Sequence, residues 1–178
     1  HTKLEDTDEG LFWRAANSVA QGDLKSAAKI LKEKGQIIRS YPKKLKIPLG
    51  VLVVNTAISN GDAKTANVYL QAISEEDLTP MEVDQLAFIE GKLQNLVGNF
   101  DSAVEAWEAT AKGEYRPSVV RAIRNRAELL LATKKITTDE VIKDLEGLQF
   151  DWRGGDFEFD VLRKLGRYYM EANKYKSG

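Results

Sequence analysis

The chain has 178 residues and a net charge of −1, with 43% apolar and 30% charged residues, which is typical of a folded protein and not of a disordered one. The near-neutral charge excludes a general electrostatic attraction to nucleic acid, and no run approaches the ~20 apolar residues of a membrane span. The lack of cysteine excludes disulfides and thiolate metal sites, and it removes any redox clue to the compartment. The single histidine, His1, is better explained as a cloning remnant, so we expect no metal or cofactor.

Apolar residues at helical spacing predict a chain of helices, and nothing indicates a confident strand. Gly-Asp, Asn-Gly and Lys-Gly steps separate these stripes, and Pro residues open some of them. The longest irregular stretch is 149–156, QFDWRGGD, which we expect to be a loop. In chain order, the predicted helices begin near Thr7 or Asp8, Leu24, Lys46 or Pro48, Ala63, Pro80, Asp101, Pro117, Thr137 or Thr138, and Asp156. The predicted caps include Thr7 or Asp8, Thr79, Thr137 or Thr138, and Asp156.

The clearest unit is the stretch 88–107, FIEGKLQNLVGNFDSAVEAW, which reads as two helices joined by a tight turn. Gly98 suits the left-handed conformation at a helix C-terminus, and Asp101 is a candidate cap for the second helix. Gly91 would let the two helices approach closely. Trp107 would then fill the core between them.

Similar turns recur along the chain at positions 22, 61, 98, 134 and 173, spaced by 39, 37, 36 and 39 residues. Seven residues before each turn, the chain has Ala15, Val54, Gly91, Ala127 and Gly166, which are mostly small. The pattern resembles a tetratricopeptide (TPR) repeat, although the period exceeds the usual ~34 residues and the fourth unit has lost its turn glycine.

This resemblance implies an all-α, right-handed TPR-like solenoid of about five helix-turn-helix units in a single domain. The fifth unit is incomplete, so we expect the chain to be part of a longer protein. The predicted units are 8–41, 46–79, 80–113, 117–148 and 156–178.

The segment 145–175 also resembles a stretch of large, mostly uncharacterised TPR-containing proteins of alphaproteobacteria. The matching elements are Trp152-Arg153-Gly154, Phe157-Glu158, Leu162-Arg163 and Leu165-Gly166. The resemblance implies a bacterial scaffold linked to the cell envelope or the motility machinery. Bacterial cytoplasm and periplasm both stay open as its compartment.

In TPR-like stacks the first helix of each pair lines a concave groove. The resemblance implies that two residues of each unit face this groove: the one three positions before the small residue seven residues ahead of the turn, and the one directly after that small residue. The groove would be apolar early and arginine-rich late, and because arginine binds carboxylates bidentately, we expect an acidic, partly apolar protein or peptide there. The alternative is a solvated charged face in which Glu128 neutralises a neighbour. The inward positions are Phe12, Ala16, Val51, Asn55, Phe88, Lys92, Arg124, Glu128, Arg163 and Arg167, with Arg121 one turn before Arg124.

No sequence feature indicates catalysis. The chain has no Walker motif, nucleophile elbow or dinucleotide fingerprint, and its carboxylate clusters are explained by loops and helix starts. The leading hypothesis is therefore a non-catalytic protein–protein interaction scaffold. The alternatives are a structural spacer or self-assembly module of a larger protein, and a helical domain associated with catalysis elsewhere in that protein.

Overall fold

The computed structural model describes residues 7–172, and this part of the chain is all-helical, which confirms the predicted all-α class. It contains nine α-helices and one 3-10 helix, and no strand. The α-helices are α1 (Asp8–Ala20), α2 (Leu24–Lys34), α3 (Lys43–Ser59), α4 (Ala63–Ser74), α5 (Pro80–Leu96), α6 (Phe100–Thr110), α7 (Arg116–Ala132), α8 (Thr138–Asp151) and α9 (Gly155–Glu171), and the 3-10 helix is Gly35–Ser40.

Local side-chain caps explain where several helices begin. Thr79 and Glu82 form a reciprocal pair at the start of α5: the Thr79 hydroxyl accepts from Glu82 N at 3.3 Å, and the Glu82 carboxylate accepts from Thr79 N at 2.8 Å. Thr137 and Glu140 repeat this arrangement at α8, so two of the predicted threonine caps are confirmed. Thr7 caps α1 by accepting from Gly10 N at 3.1 Å.

Two predicted caps and one predicted loop are wrong. Helix α6 begins at Phe100, so Asn99 holds the N-cap position that we assigned to Asp101. Helix α9 begins at Gly155 behind Gly154, whose φ of 93° favours glycine, and Asp156 lies inside the first turn. The loop predicted over 149–156 shrinks to 152–154, because α8 continues to Asp151.

Helix α3 also begins earlier than predicted, at Lys43 instead of Lys46 or Pro48. Pro48 lies inside the helix, where it has no N–H to donate to a preceding carbonyl. The helix continues through it because apolar residues on both sides are buried, among them Ile47 and Val53.

Four of the five predicted turns lie within the described residues, and all four have the same backbone geometry. At each, a residue with positive φ ends the helix, and the next N–H donates to the carbonyl five residues before it, as in a Schellman C-cap. The positive-φ residues are Gly22 (87°), Gly61 (74°), Gly98 (83°) and Lys134 (57°). The paired bonds are Asp23–Ser18, Asp62–Ala57 and Asn99–Gln94, each 2.9 Å, and Lys135–Leu130 at 2.8 Å. The fifth predicted turn, at 173–175, lies outside the described residues.

Each helix packs against its neighbours in the chain, and α3 and α5 also contact the helices two positions away, on both sides. These contacts join α1, α3, α5 and α7 side by side. The buried apolar residues continue from a cluster under α1–α5, through a smaller one around Trp107, to a cluster under α7–α9.

Trp107 is the largest buried side chain among the described residues, and it lies where the repeat predicted a core residue. It is 2% exposed and donates its indole N–H to the Phe88 carbonyl at 3.2 Å. A Cβ added to Gly91 would lie 2.3 Å from the Trp107 Nε1 atom. The predicted close approach at Gly91 is therefore confirmed.

Candidate functional site

A pocket of about 390 Å³ lies where α3, α5 and α7 come together, and five of the eight predicted site residues line it. On α5, Phe88 and Lys92 are one turn apart and share a face, and so do Arg121 and Arg124 on α7. Asn55 is the fifth, from α3. The lining residues are Asn55, Gln85, Phe88, Ile89, Lys92, Tyr115, Pro117, Ser118, Arg121, Arg124 and Asn125.

Among the described residues, the partner of Lys92 in the pocket is an amide and not a carboxylate. Its Nζ donates to Asn55 Oδ1 at 2.6 Å, and the Asn55 amide nitrogen donates to the Val51 carbonyl at 3.0 Å. Burial lowers the pKa of Lys92 below its ordinary value, and repulsion from the positive charges of Arg124 and Arg121 lowers it further. The three cations therefore share one electrostatic environment.

Arg121 likewise has no acidic partner within residues 7–172. Its Nη1 donates to the Pro117 carbonyl at 2.8 Å, one helical turn earlier. Its guanidinium carbon lies 5.6 Å from the centroid of the Phe157 ring, a distance that suits a cation–π contact.

Arg124 differs from the other two cations because its charge is compensated. Its Nη1 forms an ion pair with Asp160 Oδ2 at 2.8 Å, and its Nε and Nη2 both donate to Asn125 Oδ1. The pKa of Asp160 is lowered although burial opposes this, because the hydrogen bond from Arg163 and the charges of Lys164 and Arg124 outweigh the burial.

The other three predicted site residues do not line this pocket. Glu128 forms an ion pair with Lys164 of α9. Arg163 is 80% exposed and pairs with Asp160 at 2.8 Å. Arg167 lies 4.8 Å from the Tyr168 ring centroid and 3.7 Å from Glu171.

The predicted early, apolar part of the groove is wrong at α1. Phe12 is 0% exposed and Ala16 is buried, so neither offers a surface to a partner. Phe12 belongs to the core cluster that α1 forms with α2 and α3. This face of α1 therefore packs into the hydrophobic core, whereas the repeat pattern predicted that it would line the groove.

Four polar residues of the pocket were missed: Gln85, Tyr115, Ser118 and Asn125. Ser118 lies three residues before Arg121 and Asn125 four after it, and Gln85 lies three before Phe88. Extending the predicted face by one helical turn would have found these three. Tyr115 precedes α7, and helical spacing gives no signal for it.

Trp152 packs against the core cluster under α7–α9. Its ring meets Phe157 edge to face at 6.3 Å, and its indole N–H donates to the Gly154 carbonyl at 3.2 Å. Within residues 7–172 no three potential ligand side chains come together as a metal site, and none of the helices has the length and apolarity to cross a membrane.

In comparisons with known proteins, the chain matches no protein-family model, no curated protein and no solved structure. The geometry of the pocket between α3, α5 and α7 is therefore the basis for a functional proposal.

Proposed function

We propose that the chain is a TPR-like, right-handed helical solenoid whose concave groove, at the pocket between α3, α5 and α7, binds an acidic segment of a partner protein. Four identical C-caps spaced by 39, 37 and 36 residues support the repeat. The side-by-side contacts of α1, α3, α5 and α7 support the stacking, because a solenoid buries its core between neighbouring units.

The observation that carries this proposal is the uncompensated charge of the pocket. Lys92, Arg121 and Arg124 line it, and of these only Arg124 has a carboxylate partner within the described residues. Two positive charges are therefore available in a partly enclosed site. An acidic segment would gain charge-assisted hydrogen bonds there, and such bonds are roughly twice as strong as neutral ones.

Phe88 and Ile89 supply the apolar part of the pocket, and Gln85, Tyr115 and Asn125 supply polar groups. Apolar surface with a few converging polar groups is the usual composition of a binding pocket. The proposed role is binding and carries no chemical step.

The experiment that tests this function is affinity capture from the native source with three forms of the chain. Reversing both uncompensated charges (Lys92→Glu with Arg121→Glu) should abolish capture of a groove-bound partner. Lys25→Glu with Lys29→Glu is the matched control, because both lysines are exposed on α2 and neither lines the pocket. Equal capture by the double variant and the control would refute the groove assignment.

A second candidate function, self-assembly, is favoured by an exposed apolar stripe on α9. Phe159, Leu162 and Met170 are 74%, 45% and 59% exposed and lie on the same side of the helix as Gly166. Light scattering over a range of concentrations tests it. A mass that rises above 19.9 kDa in the unmodified chain, but not in Phe159→Ser, would support self-assembly, and a constant 19.9 kDa would exclude it.

A further inference from the structure

We propose that the pocket between α3, α5 and α7 is a seat for a phosphoryl group, presented by a phosphorylated side chain of the partner segment. The inference rests on the proposed function, since it names the group by which a groove-bound segment would be held. It goes beyond an acidic preference, because it separates phosphate from carboxylate.

The first step of the argument is the charge balance of the pocket. Arg124 forms an ion pair at 2.8 Å with Asp160, a carboxylate that it shares with Arg163. Neither Lys92 nor Arg121 has a carboxylate partner among the described residues, so the pocket has a surplus of at least two positive charges. A phosphorylated side chain carries about −1.5 to −2 charges at neutral pH. A single carboxylate would leave one cation of the pair uncompensated in a partly buried site, which costs free energy.

The second step is the supply of hydrogen-bond donors. Lys92 donates one N–H to Asn55, and Arg121 donates one N–H to the Pro117 carbonyl. Most of the N–H groups of both side chains therefore remain for a ligand. Ser118 lines the same wall. A phosphoryl group offers three strong acceptor oxygens and a carboxylate two, so the phosphoryl group makes fuller use of these donors.

The third step is the position of α7, whose first turn contributes Pro117 and Ser118 to the pocket wall. The N-terminal end of a long helix carries partial positive charge and favours anions. Asp84 accepts the N–H groups of Glu114 and Tyr115 at 2.7 and 2.8 Å just before this helix. Asp84 does not line the pocket, so its carboxylate does not occupy the position proposed for the phosphoryl group.

The fourth step is size and access. A cavity of about 390 Å³ admits a phosphorylated side chain with its backbone outside, and the Phe88 and Ile89 side chains give the aliphatic part an apolar contact. Lys92 and its partner Asn55 come from α5 and α3, so the seat depends on the packing of two successive units.

The test is a calorimetric titration of three blocked peptides that differ in one residue: alanine–phosphoserine–alanine, alanine–glutamate–alanine and alanine–serine–alanine. We expect the phosphoserine peptide to bind at least about tenfold more tightly than the glutamate peptide, and the serine peptide not to bind. Inorganic phosphate serves as a fourth probe, for the anion without a peptide.

The variants locate the binding. Lys92→Gln and Arg121→Gln should each weaken phosphoserine binding about tenfold, because each removes one charge-assisted contact. Lys25→Gln, at an exposed lysine of α2 outside the pocket, should leave it unchanged. Arg121→Lys keeps the positive charge and loses the planar guanidinium that can bind two oxygens at once. Intermediate binding by this variant would show that the weaker binding of Arg121→Gln is not caused by unfolding.

Each other outcome overturns the inference in a distinct way. Equal binding of the glutamate and phosphoserine peptides would reject the phosphoryl preference while the acidic groove stands. Inorganic phosphate binding as tightly as the phosphopeptide would reject a peptide source. If none of the peptides binds, the phosphoryl seat is rejected, and the groove function is judged by the capture experiment alone.

Discussion

The contact between Gly91 and Trp107 offers the sharpest test of the packing, because one added methyl group probes it. In Gly91→Ala the new Cβ would lie 2.3 Å from Trp107 Nε1 and 2.5 Å from Cδ1, well inside contact distance. The indole is 2% exposed, so it cannot swing into solvent without opening the core. The ring or the helix must therefore shift.

The magnitude follows from three contributions. Overpacking a well-filled core costs about 1–3 kcal/mol. Displacing the indole puts at risk its hydrogen bond to the Phe88 carbonyl, 3.2 Å long, which is a further contribution of about 1 kcal/mol. Against these, alanine in a helix is more favourable than glycine by about 1 kcal/mol. We expect Gly91→Ala to lower the free energy of unfolding by about 1–3 kcal/mol.

Gly166→Ala is the matched control, because Gly166 holds the same repeat position in α9 and a Cβ there meets no described residue within 4 Å. It should raise the free energy of unfolding by up to about 1 kcal/mol, through helix propensity alone. Urea denaturation followed by circular dichroism measures both. If Gly91→Ala proves as stable as Gly166→Ala, the register of the repeat is wrong at this helix pair.

Two further predictions concern single residues. Lys134 is the one non-glycine residue with positive φ within residues 7–172. In urea denaturation, Lys134→Gly should therefore raise the free energy of unfolding by about 1 kcal/mol, and Gly98→Lys should lower it. No change in either variant would contradict the shared turn geometry. Asp62 caps α4, and a hydrogen bond from Lys32 together with the N–H of Thr65 lowers its pKa to about 2. Because the pKa is lowered in the folded state, the ionised cap stabilises the fold above the unfolded value of 3.8, and that stability is lost as the pH falls towards about 2. Asp62→Ala should therefore cost about 1 kcal/mol at pH 7, and this difference should shrink between pH 4 and pH 2 in urea titrations; a difference independent of pH would contradict the assignment.

Helix existence and the turns could be predicted from the sequence because both depend on interactions within about five residues. Gly98 and its aligned position Lys134 end their helices in the same way, although only one of them is a glycine. Thr79 and Thr137 were recognisable as caps, since the capping bond spans three residues. The pairing of Gly91 with Trp107 followed from the repeat register.

Competing local signals explain the boundaries that were wrong. Asn99 and Asp101 are both good capping residues, and the C-cap at Gly98 decides that the helix begins at Phe100. Pro48 predicts a helix start, yet burial on both sides continues the helix through it. At 149–156 the glycine pair suggested a long loop, whereas the Leu148 side chain is buried and keeps α8 helical to Asp151.

The sequence by itself determined that the chain is helical, where most turns fall and which helix faces carry the arginines. The tertiary structure alone decided which charges are compensated, because the partners come from distant helices. Asp160 pairs with Arg124 and Glu128 with Lys164, both across 36 residues. Within residues 7–172, Lys92 donates to an amide and Arg121 to a carbonyl, and neither has a carboxylate partner. Charge composition predicts the sign of a surface, but free charge in a pocket depends on distances that only packing sets.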